Sequence, residues 1–137
     1  MFAAEIAPVS IASRKGETLV DTDEQPGNAR PDKIPQLRPA FAKDGTVTAA
    51  NASSISDGAA ALTLMMADEA EACGLKPIAL IRGYDQSAQE PEWFTTAPVT
   101  AIRKTLDRVG WAVEDVDLWE VNEAFAVVAM AALREIG

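Results

Sequence analysis

The chain contains no histidine. That absence removes the commonest general base near neutral pH, the commonest metal ligand and every Ser-His or Cys-His nucleophile pair, so such chemistry must come from elsewhere. Cysteine occurs once, at Cys73, which excludes an internal disulfide framework and a cysteine-based zinc site and suits a reducing compartment. Basic side chains are scarce. Twelve Lys and Arg stand against 21 Asp and Glu, a net charge of −9, divided as 6 against 8 in residues 1–60 and 6 against 13 beyond them. A chain of this sign repels phosphate backbones and anionic lipid, which argues against nucleic-acid and membrane-surface binding but leaves a small anionic ligand free to bind locally. No apolar run reaches the roughly 18 residues of a membrane helix. The start Met1-Phe2-Ala3-Ala4-Glu5 lacks the basic residues and long apolar stretch of a signal peptide. A soluble, cytoplasmic chain is the expectation. No glycine-rich phosphate loop and no repeat is visible. Trp93, Trp111 and Trp119 are too scattered to stack bases, and Glu114, Asp115, Asp117 and Glu120 read as a solvated face rather than a metal site.

What is present is apolar: 48% of 137 residues, enough for one compact domain or two half-domains. Residues 5–11 alternate in the manner of a short edge strand that tolerates Pro8, and Arg14-Lys15-Gly16 marks a turn. Residues 21–43 carry Pro26, Pro31, Pro35 and Pro39 with Gly27 and Asn28, and read as an irregular excursion. After Thr46-Val47-Thr48-Ala49-Ala50, the turn formers of residues 51–58 predict a loop or short helix. The apolar run 59–66 is ambiguous by periodicity, and its length favours a strand. Residues 67–74 read as a two-turn helix stopped by Gly74, residues 78–84 as a strand, and Ala97-Pro98 as the start of a helix that buries Val99, Ile102, Leu106 and Val109 before Gly110 ends it. Residues 116–121 are expected to be a second strand. A helix beginning at Glu123 then buries Phe125, Val128, Ala129, Ala132, Leu133 and Ile136. Strand, helix, strand, helix predicts an α/β unit with parallel strands.

Four segments carry a specific pattern. They are Glu5-Ile6-Ala7-Pro8-Val9 with Arg14-Lys15-Gly16; Leu37-Arg38-Pro39-Ala40-Phe41; Gly45-Thr46-Val47-Thr48-Ala49-Ala50-Asn51-Ala52-Ser53 with Asp57-Gly58-Ala59-Ala60-Ala61; and Trp119-Glu120-Val121-Asn122-Glu123-Ala124-Phe125-Ala126. In order and spacing the chain resembles the thiolases, most closely their acetyl-CoA acetyltransferase branch, which exchange acyl groups between coenzyme A and 3-ketoacyl-coenzyme A through a cysteine thioester. The resemblance implies a partial thiolase-like α/β fold: residues 1–75 would complete the N-terminal domain, with residues 21–43 in the loop domain, and residues 76–137 would begin the C-terminal domain. It implies the middle third of an enzyme, an internal fragment, with coenzyme A as substrate and a homodimer or homotetramer as the parent assembly.

Carried over residue by residue, the resemblance makes Asn122 the amide that holds a water against the thioester oxygen, although an amide there can equally cap a helix starting at Glu123. Ser53 matches a serine that bonds the pantetheine arm, with Ala49, Ala50 and Ala52 leaving room for the ligand; Ser54 departs from the glycine many thiolases have. Phe125 lines the reaction pocket in the family, Phe41 lies near the cofactor, and Lys33 and Arg30 are cations for the nucleotide portion. Carbonyls of Ala49, Ala50 and Ala52 match a segment that holds a monovalent cation in some acetyltransferases. The nucleophilic cysteine, the Gly-His-Pro histidine and the second cysteine of the family are absent, and Cys73 has no basic neighbours to make it a substitute. The isolated chain is therefore expected to be inactive. The rival reading is a non-catalytic module that binds coenzyme A or pairs with another subunit.

Overall fold

The computed structural model describes residues 3–137. Residues up to Leu37 form one compact unit and Arg38–Gly137 a second.

The first unit is built on a hairpin, β1 (Val9–Ser13) and β2 (Gly16–Val20), antiparallel with Val9 opposite Val20 and Ser13 opposite Gly16. The expected strand thus begins after Pro8, whose nitrogen has no proton to give a ladder, and runs on to Ser13. Its partner β2 was not foreseen, because Gly16-Glu17-Thr18-Leu19-Val20 alternates too briefly to signal alone. The turn falls at Arg14-Lys15 as expected; Gly16 closes it at φ +119°, and the Ser13 hydroxyl donates to the Gly16 carbonyl at 2.9 Å. Within the proline-rich stretch two short helical pieces form: α1 (Glu24–Asn28), capped by the Asp23 carboxylate accepting from the Gln25 amide, and a 3₁₀ turn at Pro31–Gln36.

The second unit holds three helices. Helix α2 (Ala67–Ala72) ends in a Schellman motif: Gly74 sits at φ +66°, its amide donates to Glu71, and Leu75 donates to Ala70. Helix α3 (Ala97–Val109) follows a 3₁₀ turn at Pro91–Thr96 and ends the same way, with Gly110 at φ +69° and Trp111 donating back to Leu106. Its apolar face is the predicted one, with Val99 buried and Ile102, Leu106 and Val109 half-buried. Helix α4 (Ala126–Ile136) packs on α3; Val128 and Ala132 are buried, and Arg103 of α3 donates to the Glu135 carbonyl at 2.6 Å. A guanidinium at the C-terminal end of α4 also complements its dipole. Leu133, expected in the core, is 74% exposed.

The predicted parallel strands do not pair. Residues 59–66, 78–84 and 116–121 form no ladder among the described residues, where the hairpin is the whole sheet. The reason is physical: a strand exists through its neighbour's carbonyls and amides, and these three segments meet no partner edge. Their apolar side chains are correspondingly uncovered, Ile78 at 100% and Leu118 at 89% exposure. Helix α4 likewise begins at Ala126, not Glu123, because tertiary hydrogen bonds hold Phe125 extended at φ −141°, ψ 153°. No helix among the described residues is long and apolar enough to cross a membrane.

The segment after Gly83 is pinned along the C-terminal half of α3. Arg108 donates to one Asp85 carboxylate oxygen at 2.7 and 3.1 Å, and Lys104 reaches the Gln86 carbonyl at 3.3 Å. A Cβ on Gly83 would meet Val109 Cγ1 at 2.5 Å. Gly83→Ala is therefore expected to destabilise this packing by about 1–3 kcal/mol, and Val109→Ala in the same chain to recover part of the loss, read by chemical denaturation. The Gln86 amide, then the Arg108 guanidinium, hold the Asp85 carboxyl below its ordinary value of 3.8, with Lys104 adding attraction. A carboxyl depressed in the folded state stabilises above its unfolded value and loses that contribution as pH falls through the folded one. The stability advantage over Asp85→Asn should thus be complete above 3.8 and vanish in more acid solution, and the Asp85 carboxyl carbon should titrate below 3.8 by NMR.

Candidate functional site

Two segments some seventy residues apart meet in the second unit. Ala52 and Phe125 form an isolated antiparallel bridge. On either side of that pair the Ser53 amide donates to the Ala124 carbonyl and the Ala126 amide donates to the Asn51 carbonyl, each at 2.9 Å. The Ser53 hydroxyl adds a bond to the Glu123 carbonyl at 2.5 Å. The Ala126 amide is the first of the orphan donors of α4, so the Asn51 carbonyl does the work of a helix cap from outside the helix. Asn122 is then not a cap: α4 starts four residues beyond it.

The loop before the bridge is shaped by Asn51. Its side-chain oxygen accepts from the Thr48 amide at 2.8 Å and its side-chain nitrogen donates to the Thr46 carbonyl at 3.0 Å. The Ala50 amide turns to the Thr48 hydroxyl at 3.2 Å, and the Ala40 amide ties the strip before the loop to the Val47 carbonyl. On the other side of the clamp the Phe125 ring is half-buried and takes two edge-on neighbours, Phe41 at 6.1 Å and Phe94 at 6.0 Å between centroids.

Asn122 is exposed, and its amide makes no hydrogen bond among the described residues. It lines two hollows at once. One, of about 440 Å³, is walled by Trp119, Ile102, Leu133 and Ile136; the other, of about 550 Å³, by Phe94, Pro98, Ala101 and Val128. A neutral amide with a free N–H pair at the junction of two largely apolar hollows can donate to a carbonyl oxygen or hold a water against one. Glu120 lies in the lining of both hollows and Glu123 in that of the first, and neither lining includes a Lys or Arg.

Of the residues singled out in the sequence, Phe41, Ala49, Ser53, Asn122 and Phe125 all belong to the second unit, and the clamp and the ring cluster join four of them directly or through their chain neighbours. Ala49 stands in the turn that Asn51 organises. Arg30 and Lys33 belong to the first unit, where the Arg30 guanidinium donates to the Gly27 and Ala29 carbonyls and Lys33 sits in the 3₁₀ turn. The carbonyls of Ala49, Ala50 and Ala52 accept no hydrogen bond among the described residues; Ala52 is the non-bonded member of its bridge, so its carbonyl is free for a ligand. No group of three His, Cys, Asp or Glu is arranged for a metal among the described residues. Cys73 is exposed at the end of α2 and lines neither hollow. Sequence reasoning passed over Asn51, visible only as a turn former, and Phe94, which nothing in its polar surroundings distinguishes.

Comparison with solved structures places this architecture. The acetyl-CoA acetyltransferase of Bacillus anthracis aligns with a TM-score of 0.83 and 43% identity over 98% of this chain and 34% of its own. A thiolase of Ascaris suum, Acat5, solved in complex with coenzyme A, aligns with a TM-score of 0.83 and 42% identity over the same shares. The fold is thus a partial thiolase fold of the α/β class. Family models agree: "Thiolase, N-terminal domain" matches residues 1–68 and "Thiolase, C-terminal domain" residues 75–137, and the chain belongs to the thiolase family. Among curated relatives, the acetyl-CoA acetyltransferase of Chromobacterium violaceum is 51% identical over 99% of the chain, and that of Paracoccus denitrificans 50% identical over 99%. The chain spans about 35% of the length of these relatives.

The ring cluster gives a direct test. Phe125→Leu keeps an apolar side chain at the clamp but removes both edge contacts, at an expected cost of about 1–3 kcal/mol. The ring protons of Phe41 and Phe94 should lose their ring-current shifts in the NMR spectrum while those of α2 stay in place.

Proposed function

We infer that these residues supply the carbonyl-polarising amide and part of the coenzyme A cradle of an acetyl-CoA acetyltransferase. The observation that carries the reading is the junction of Asn122, in Asn122-Glu123-Ala124-Phe125, with the Ala49–Ser53 loop through the Ser53 bond to Glu123. In the proposed reaction an acyl group passes between coenzyme A and a 3-ketoacyl-coenzyme A. Asn122 holds a water at the thioester oxygen and stabilises the negative charge that develops there. Phe125 bounds the reaction pocket, Phe41 lies near the cofactor, the Ala49–Ser53 strip receives the pantetheine arm, and Lys33 and Arg30 are cations for the nucleotide portion. The free carbonyls of Ala49, Ala50 and Ala52 suit a monovalent cation, which takes oxygen ligands. Residues 1–75 would belong to the N-terminal domain and 76–137 to the C-terminal one; the parent would be a cytoplasmic homodimer or homotetramer.

The bond-making groups are outside these residues. There is no histidine, and Cys73, the one thiol, lines neither hollow, so the covalent thiol–imidazole route has no carrier among these residues. A second reading, a module that pairs with another chain, is favoured by one observation: the uncovered strand-like segments around Ile78 and Leu118.

The chain mixed with acetoacetyl-coenzyme A and coenzyme A should show no thiolysis above buffer background, and intact-mass spectrometry with acetyl-coenzyme A should find Cys73 unmodified on the assay timescale. Rapid turnover, or prompt acetylation of Cys73, overturns the assignment of incompleteness. Failure of coenzyme A to bind even when a chain bearing the missing cysteine and histidine is added overturns the cradle.

A further inference from the structure

Asn122 is held from one side only. The chain before it, residues 116–121, makes no ladder bond among the described residues beyond the turn at Val116, whereas the residues after it carry three bonds to the 51–53 strip. Whatever fixes that strip therefore fixes the amide.

The strip is fixed by Asn51. Its side chain uses both of its faces, accepting from Thr48 and donating to Thr46, while its own amide donates to the Thr48 carbonyl at 3.2 Å and its carbonyl receives the Ala126 amide. One residue thus joins the 46–51 turn to the start of α4. Neither alanine nor aspartate does this equally well. Alanine leaves two backbone groups without partners, and aspartate replaces the Thr46 donor with an oxygen that repels the carbonyl it faces.

We propose that Asn51 is a positioning residue for Asn122: through the turn it organises, it sets the height and direction from which the Asn122 amide meets a substrate carbonyl. This assignment builds on the reading of Asn122 given above. It extends to the Ser53 hydroxyl, whose bond to Glu123 is the last link to the neighbouring peptide.

The test uses the chain without ligand, so that it stands apart from whether coenzyme A binds. In ¹⁵N-labelled protein, Asn51→Asp should shift the side-chain NH₂ resonances of Asn122 and speed exchange of the Ala126 amide proton at least about fivefold. Amide protons of α3 between Ile102 and Leu106 should exchange as before, and Asp85→Asn, which loosens a cluster elsewhere, should leave Asn122 unmoved. An Asn122 signal that stays put while Ala126 exchange rises would reduce Asn51 to a structural clamp and overturn the proposal, as would equal loosening of α3 and Ala126. Should Asn51→Asp fail to fold, two measurements decide. The Thr48 and Ala126 amide protons of the unaltered chain must be protected, and Ser53→Ala must displace the Asn122 resonances; failure of either overturns the proposal. If these hold and coenzyme A does not bind, the functional reading falls and the positioning role stands.

Discussion

The second unit turns on the hydrogen bonds between residues 51–53 and 123–126. They close a loop of about seventy residues, for which chain entropy costs on the order of 4 kcal/mol beyond a constant. Three hydrogen bonds at about 1 kcal/mol each offset most of that, and the edge-on contact of Phe125 with Phe41, at about 0.5–1.5 kcal/mol, supplies the remainder. The balance is close enough that the bridge and the ring cluster need one another. This explains why Phe125 is extended rather than helical, and why α4 starts late: losing one turn of helix is cheaper than losing the clamp.

Electrostatics around Asn122 narrows the chemistry it can do. Glu120 and Glu123 share its surroundings, and a carboxylate near a forming oxyanion opposes it, more strongly in an apolar hollow than in water. Both carboxylates are exposed, so water screens that repulsion. The Asn122 amide can orient a water and contribute one donor, while most of the stabilisation must come from a cationic or N–H donor brought from elsewhere.

Local features of the fold were legible in the sequence because their causes are local. Gly74 and Gly110 stop helices through a positive φ that only glycine adopts cheaply, and Pro98 opens α3 where its missing N–H is harmless. The apolar face of α3 follows from spacing alone. What failed was non-local. The start of α4 depends on Asn51, seventy-five positions away from Ala126, and no pattern in residues 122–136 encodes it. Asn122 and Ser53 are candidates through resemblance alone; Asn51 was hidden inside the same motif, since a turn former and a network centre look alike until the partners are known.

The strand-like segments carry the last step. Residues 59–66, 78–84 and 116–121 have strand-like composition, yet lie without a ladder among the described residues and with Ile78 and Leu118 bare. The backbone nevertheless follows a thiolase path, with a TM-score of 0.83 over 98% of the chain. Path and pairing are separable here: the packing of α3 on α4, the Gly83–Gln86 strip on α3 and the 51–53 clamp accompany the route, while residues 59–66, 78–84 and 116–121 make no ladder along it among the described residues. The two hollows at Asn122 follow from the same fact, because a segment with no neighbour on either side leaves space on both. The backbone beside Asn122 is thus set by contacts internal to the unit, while the strand-like segment before it carries no ladder among the described residues.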